Sequence, residues 1–88
     1  MIKFEAGQVV MTPGAAEAIP EMVRIAALAR HLNGDWGEVC EEDKAANNRA
    51  LWDGDRLLSA YRAPDGTKFW IITEADRSAT TILLPEEY

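Results

Sequence analysis

The sequence predicts an α+β domain: two or three N-terminal helices followed by a three-stranded antiparallel β-meander. Three observations carry that expectation. Apolar residues recur every three to four positions through the first part of the chain and every two after Arg56, the period changing at "DGD", Asp53–Asp55. Helix start and stop signals stand at "TPG" (Thr12–Gly14), Pro20 and "NGD" (Asn33–Asp35). Between two alternating runs lies "APDGT" (Ala63–Thr67), a hairpin turn in which proline presets one backbone angle and glycine accepts a positive one.

Taken in order, "GQVVM" (Gly7–Met11) is either a short first strand or an extended arm. Thr12 can cap the first helix through its hydroxyl, and Pro13 at the first helical position loses no needed donor. Pro20 ends that helix, because it forces Ile19 towards extended angles, and starts the next. In the second helix Met22, Ile25, Ala26, Ala29 and Leu32 share one face. Glu21 in its first turn and Arg30 in its last suit the helix dipole, and Asn33–Gly34 supply a left-handed stop. A third helix is expected from Trp36 or Glu38 to Trp52, with Asp35 as cap and Glu38 in the capping-box position. It would place Val39, Cys40, Asp43, Ala46, Ala50 and Leu51 near one face. The strands are "RLLSAYR", "KFWIITE" and "TTILLP" (Arg56–Arg62, Lys68–Glu74, Thr80–Pro85). The middle one is apolar on both sides, Phe69 and Ile71 facing one way and Trp70 and Ile72 the other. Helices can cover one face; the other needs an N-terminal strand or arm, another helix, or a second protein chain.

The 88 residues form one domain, since a second core would leave neither half enough apolar surface to offset chain entropy. No apolar run approaches the ~20 residues that cross a bilayer, and no secretory signal is visible. With a single cysteine there is no internal disulfide, and the cytoplasm is the expected location. The net charge of −6 is concentrated: residues 35–55 carry seven acidic side chains against two basic ones, a net −5. Such a balance opposes contact with nucleic-acid phosphates, which rests on lysine and arginine displacing counterions.

"HLNGDWGEVCEED" (His31–Asp43) holds the only histidine and the only cysteine and is the place to look for chemistry. Cys40 stands among Glu38, Glu41, Glu42 and Asp43, which oppose a thiolate, and its spacing puts it beside Val39 on an apolar face as a small buried hydrophobe. One histidine and one cysteine fall short of the donors a structural zinc site needs, and the acidic run lacks the alternating oxygens and central glycine of a calcium loop. His31, late in its helix, is expected to hydrogen-bond a carbonyl or neighbour the helix C-terminus. Ser59, Tyr61 and Thr73 alternate within strands and can converge on it. No triad, phosphate loop or dinucleotide fingerprint is present, so neither a catalytic residue nor a cofactor or metal site is assigned. The stretch is a stop signal, a tight turn and a start signal, with the Trp36 indole anchoring the corner. Trp36, Glu41, Glu42, Asp43, Phe69 and Ile71 form the candidate interaction surface.

"HLNGDWGEV", the block "RLLSAYRAPDGTKFWIITEADRSATTILLPEEY" and the leading "VVMTPGA" together resemble a family of small uncharacterised bacterial proteins, often encoded on plasmids and other mobile elements, some of them labelled plasmid-related proteins. The stretch from Ala18 to Arg24 departs most from that pattern. The resemblance implies a mobile-element context and no catalytic residue. Three functions then compete: a non-enzymatic interaction module that binds a protein partner or itself as a homodimer, an acidic nucleic-acid mimic that inhibits a defence or restriction system, and a small enzyme using His31 and Cys40. The first fits the two-sided apolar strand best. Six net charges over a whole domain are sparse beside a duplex with one charge per ~1.7 Å of axis.

Overall fold

A strand opens the fold: in the computed structural model, which describes residues 2–88, the chain runs through β1 (Gln8–Met11), α1 (Pro13–Ala18), α2 (Glu21–Leu32), α3 (Glu41–Asp53), β2 (Leu57–Arg62), β3 (Lys68–Thr73) and β4 (Ala79–Leu83), ending in a 3-10 turn at Pro85–Glu87. The α+β class stands. The strands form one four-stranded sheet in the order β1-β4-β3-β2. β2, β3 and β4 make the expected antiparallel meander, but β1 lies parallel to β4, so the sheet is mixed. Gly7 decides this. At φ +65° it presses the entering chain so close to the β3–β4 turn that a Cβ there would stand 2.3 Å from the Arg77 carbonyl oxygen, and β1 is fed in beside β4.

The local signals act as written around α1. The Thr12 hydroxyl accepts the Ala15 N–H at 3.2 Å, Pro13 occupies the first helical position, and Ile19 turns extended before Pro20. α2 starts directly after Pro20 and stops at Asn33 and Gly34. Its buried side differs from the expected one: Ala27 and His31 are interior, with Val23 packed beside them, while Met22 is 73% and Ile25 55% exposed, and Ala26 and Ala29 also face out. Apolar residues lie around most of this helix. The small Ala27 permits close approach to the sheet, and hydrogen bonds waiting for His31 make a polar position the inner one.

α3 begins later than the capping-box pattern predicts. Asp35 spends its carboxylate on Arg30 (2.7 Å) and the Gly37 N–H (3.3 Å), and residues 36–38 pass beside β2 in a single bridge between Gly37 and Ala60. Ala60 donates to the Trp36 carbonyl (3.1 Å) and accepts from the Glu38 N–H (2.7 Å). Cys40 is therefore the exposed N-cap of α3 and lies outside the core. Within α3 the buried residues are Asn47 and Ala50, whereas Asp43 and Ala46 face solvent. A wholly polar stretch in the middle of the helix had masked the true inner face.

All three helices sit on one sheet face. Phe69, Ile71, Tyr61 and Ile82 pack there against Ala15, Ile19 and Ala27, and a second cluster joins Trp36, Ala50 and Leu57 with Phe4 and Val39. The opposite face carries Trp70, Ile72 and Leu83, and the chain covers part of it itself. The Tyr88 ring lies 5.7 Å from Trp70 and its hydroxyl accepts from Arg56. Glu87 holds that turn in place by accepting from the Thr12 hydroxyl and from the Gly14 (3.1 Å) and Leu84 (2.9 Å) N–H groups.

The outer edge of β2 is closed by a side chain that imitates a strand. Asn47 donates to the Leu58 carbonyl at 2.8 Å and accepts the Leu58 N–H at 3.1 Å. Replacing it leaves both backbone groups half-sealed without partners, at about 1–3 kcal/mol. Asn47→Ala should lower the unfolding free energy by that amount, seen in equilibrium urea unfolding as a lower midpoint at an unchanged m-value; an unaltered midpoint would show that water serves the edge as well.

Candidate functional site

His31 is the residue a catalytic reading needs, and the fold seals it completely. It is 0% exposed, with Nδ1 2.5 Å from the Ser59 hydroxyl and Nε2 2.9 Å from that of Thr73. Thr73 in turn meets Thr80 at 2.7 Å, and Thr80 donates to the Ala6 carbonyl at 2.7 Å. One hydroxyl has one proton. Since Thr80 gives its own to Ala6, Thr73 must donate to Thr80, so Nε2–H donates to Thr73 and Nδ1 accepts from Ser59. The ring is thus fixed as a single neutral tautomer, gripped edge-on by Phe4 (5.3 Å) and Trp36 (5.7 Å).

Burial, aided by the nearby Arg77 charge, lowers the His31 pKa to about 4. Arg77 is held there by the Ala50 (3.0 Å) and Asp55 (2.7 Å) carbonyls, with its guanidinium over the Phe4 ring. Such an imidazole has no free nitrogen and no solvent contact with which to move a substrate's proton. Of Ser59, Tyr61 and Thr73, which strand alternation allows to converge on His31 without placing them, Ser59 and Thr73 reach it; Tyr61 does not, because its hydroxyl donates to the Asp35 carbonyl instead. Of the two expected settings for His31, the carbonyl partner gives way to two hydroxyls, while the place in the last turn of its helix holds. Thr80 was missed, since only the β3–β4 register, pairing Thr73 with Thr80, reveals it.

The remaining candidates separate into surface and interior. Glu41, Glu42 and Asp43 are exposed in the first turn of α3, where the helix dipole favours them. Trp36, Phe69 and Ile71 are 4%, 0% and 0% exposed, so these three expected surface residues belong to the core. The Trp36 indole N–H finds the Asn48 side-chain oxygen at 3.0 Å. Cys40, at the surface, makes no bond to His31. Among the described residues no three of His, Cys, Asp and Glu gather as a metal site, and no helix is long and apolar enough to cross a membrane.

One surface feature with open backbone groups is the outer side of β1, which sequence reading had named only as a strand or arm. Gln8 donates to Ser78 (3.0 Å) and Thr12 to Ile82 (3.0 Å), so the even-numbered residues point their backbone groups at β4. Val9 and Met11 point theirs outward, and among the described residues nothing pairs with them. The four residues are uncharged and all exposed, Val9 at 41%, Val10 at 37% and Met11 at 42%. Ile25 of α2 lines the same groove as Val9 and Met11. A bare edge with no lysine, proline or bulge to guard it is a template for another strand.

The chain matches no protein-family model, no curated relative and no solved structure.

The sealed imidazole has a measurable signature. An unfolded histidine takes up a proton near 6.5, but the folded one only near 4. Between those values the unfolded state holds more protons, so the stability His31 provides is full above about 6.5 and falls with pH to about 4, by about 3 kcal/mol at most. Urea unfolding from pH 7 to 4 should show His31→Gln less stable at neutrality yet losing less on acidification than the native chain. Parallel pH curves for the two would refute a neutral buried histidine.

Proposed function

We propose that this chain is a non-enzymatic protein-interaction module whose docking element is the β1 edge. The observation that carries the reading is the contrast between the two ends of the sheet: Asn47 and residues 36–38 close the β2 edge, whereas Val9 and Met11 keep unpaired backbone groups on a strand that carries no charge of its own. Strand addition uses such an edge directly, with main-chain hydrogen bonds giving affinity and alternate side chains giving specificity. The sealed state of His31 and the separate, surface position of Cys40 take away the pair on which an enzyme would be built. The resemblance to plasmid-related proteins supplies the setting for this proposal: a bacterial cytoplasm and the proteins of a mobile element.

The acidic-mimic reading has weaker support. Glu41, Glu42 and Asp43 are accounted for by the N-terminus of α3, which they stabilise.

Two measurements test the module. In dilute protein the Val9 and Met11 amides should exchange with solvent rapidly while those of Gln8 and Val10 are protected, and association should slow the first pair. Val9→Lys and Met11→Lys, at exposed positions, should leave stability within about 0.5 kcal/mol yet lose every partner, self or foreign, that the native chain retains. Alkylating Cys40 should leave association intact. Association that survives both lysines, or vanishes with the alkylated thiol, sinks the proposal.

A further inference from the structure

We infer that the occupant of the β1 edge is a second copy of this chain, its β1 running antiparallel, with the two Val10 residues facing each other across a two-fold axis. This rests on the binding reading above and names its partner.

The hydrogen-bond geometry selects that register. Free backbone groups lie on Val9 and Met11, while Val10 is paired inward to β4. With the axis at Val10, Val9 of one chain stands opposite the partner's Met11 as a hydrogen-bonded pair, and symmetry repeats the pair on the other side. Every N–H and C=O that β1 leaves open is then used, and none is left over. The side chains follow. Val9 and Met11, which share a groove with Ile25 and Ile82, meet their counterparts on the helix-covered face, and Val10 meets Val10 on the other. An isologous contact of this kind closes on itself as a dimer.

Charge permits the same arrangement. Residues 1–34, which supply β1 and the helices beside it, carry three basic and three acidic groups, whereas the net −5 of residues 35–55 sits with α3 against β2 at the far end of the sheet. Joining two sheets at β1 makes eight strands, so the two acidic ends lie about seven strand spacings, roughly 34 Å, apart. That is several screening lengths of ~8 Å in physiological salt, and mutual repulsion is negligible. The groove beside the seam carries one acidic and one basic side chain, Glu21 and Arg24, so it is neutral overall and sets no net charge against its own copy. Its strand is only four residues long, so the association is reversible and depends on concentration.

Sedimentation equilibrium and site-directed cross-linking test the inference. The native chain should move from 9.7 kDa towards twice that mass as concentration rises, and Val10→Lys, which sets two like charges face to face, should remain at 9.7 kDa. In a Cys40→Ser background, Val10→Cys should form a disulfide-linked dimer under mild oxidation, because a directly opposed non-hydrogen-bonded pair has its Cα atoms ~4.5 Å apart, inside the bridging range. Val9→Cys, offset by two residues from its own mate, should not. Cross-linking of Val9→Cys in place of Val10→Cys overturns the register. A native chain that stays at 9.7 kDa throughout overturns self-pairing. If the Val9→Lys change still releases a foreign protein in that case, the edge remains a docking element and only the identity of its occupant is wrong; a dimer that survives Val9→Lys removes the edge from both readings.

Discussion

A neutral imidazole held between two hydroxyls is the interaction on which the arrangement of this protein depends. His31 belongs to α2, Ser59 to β2, Thr73 to β3 and Thr80 to β4, and the last link reaches the Ala6 carbonyl in the entering arm. Five segments distant in sequence are tied by one chain of hydrogen bonds. A buried polar network of this sort is tolerable only when every member is satisfied, because the low dielectric that strengthens its bonds penalises any unpaired atom equally. That condition is met: among the described residues no buried side-chain nitrogen or oxygen lacks a partner. The network also has a positional consequence. By taking hold of Ala6 it fixes the arm that leads through Gly7 into β1, and so it places the strand whose outer edge is bare.

The sheet treats its two edges in opposite ways, and the difference is one of backbone accounting. At β2 the Asn47 amide supplies an acceptor and a donor to Leu58, and Trp36 and Glu38 do the same for Ala60 through their own backbone. Gly37, at φ +75°, makes that second contact possible, since a Cβ would collide with the Ala60 carbonyl oxygen at 2.0 Å. No comparable device guards β1. Ile25 on the outer side of α2 extends the same uncovered region beyond the strand.

Burial divides the one place where the sequence brings its histidine and its cysteine together. The histidine is enclosed with both nitrogens engaged, and Arg77 nearby disfavours its charged form further. Cys40 lies outside at the start of a helix whose first turn is acidic. Only eight residues separate them in the sequence, yet their environments are opposite. A stretch that promises a site becomes a corner: α2 ends, the Trp36 side chain enters the core, and the chain pairs briefly with β2 before α3 begins.

What the sequence determined by itself is whatever depends on neighbouring residues. Thr12 and Pro13 set the start of α1, Pro20 divides α1 from α2, Asn33 and Gly34 stop α2, and the change of period after Asp55 gives the meander and the two faces of β3. Each follows from local backbone geometry or side-chain alternation. The tertiary structure decided the rest. Whether Met22 or Ala27 faced inward, whether Asp35 capped a helix or bound Arg30, and whether β1 joined β4 in parallel all turned on competition between partners brought together from far along the chain. Local pattern can rank a residue's preference for burial, but the offer of a hydrogen bond to His31 or of a backbone pair to Gly37 exists only once the sheet has assembled, and the open edge that supports the functional reading is a property of that assembly alone.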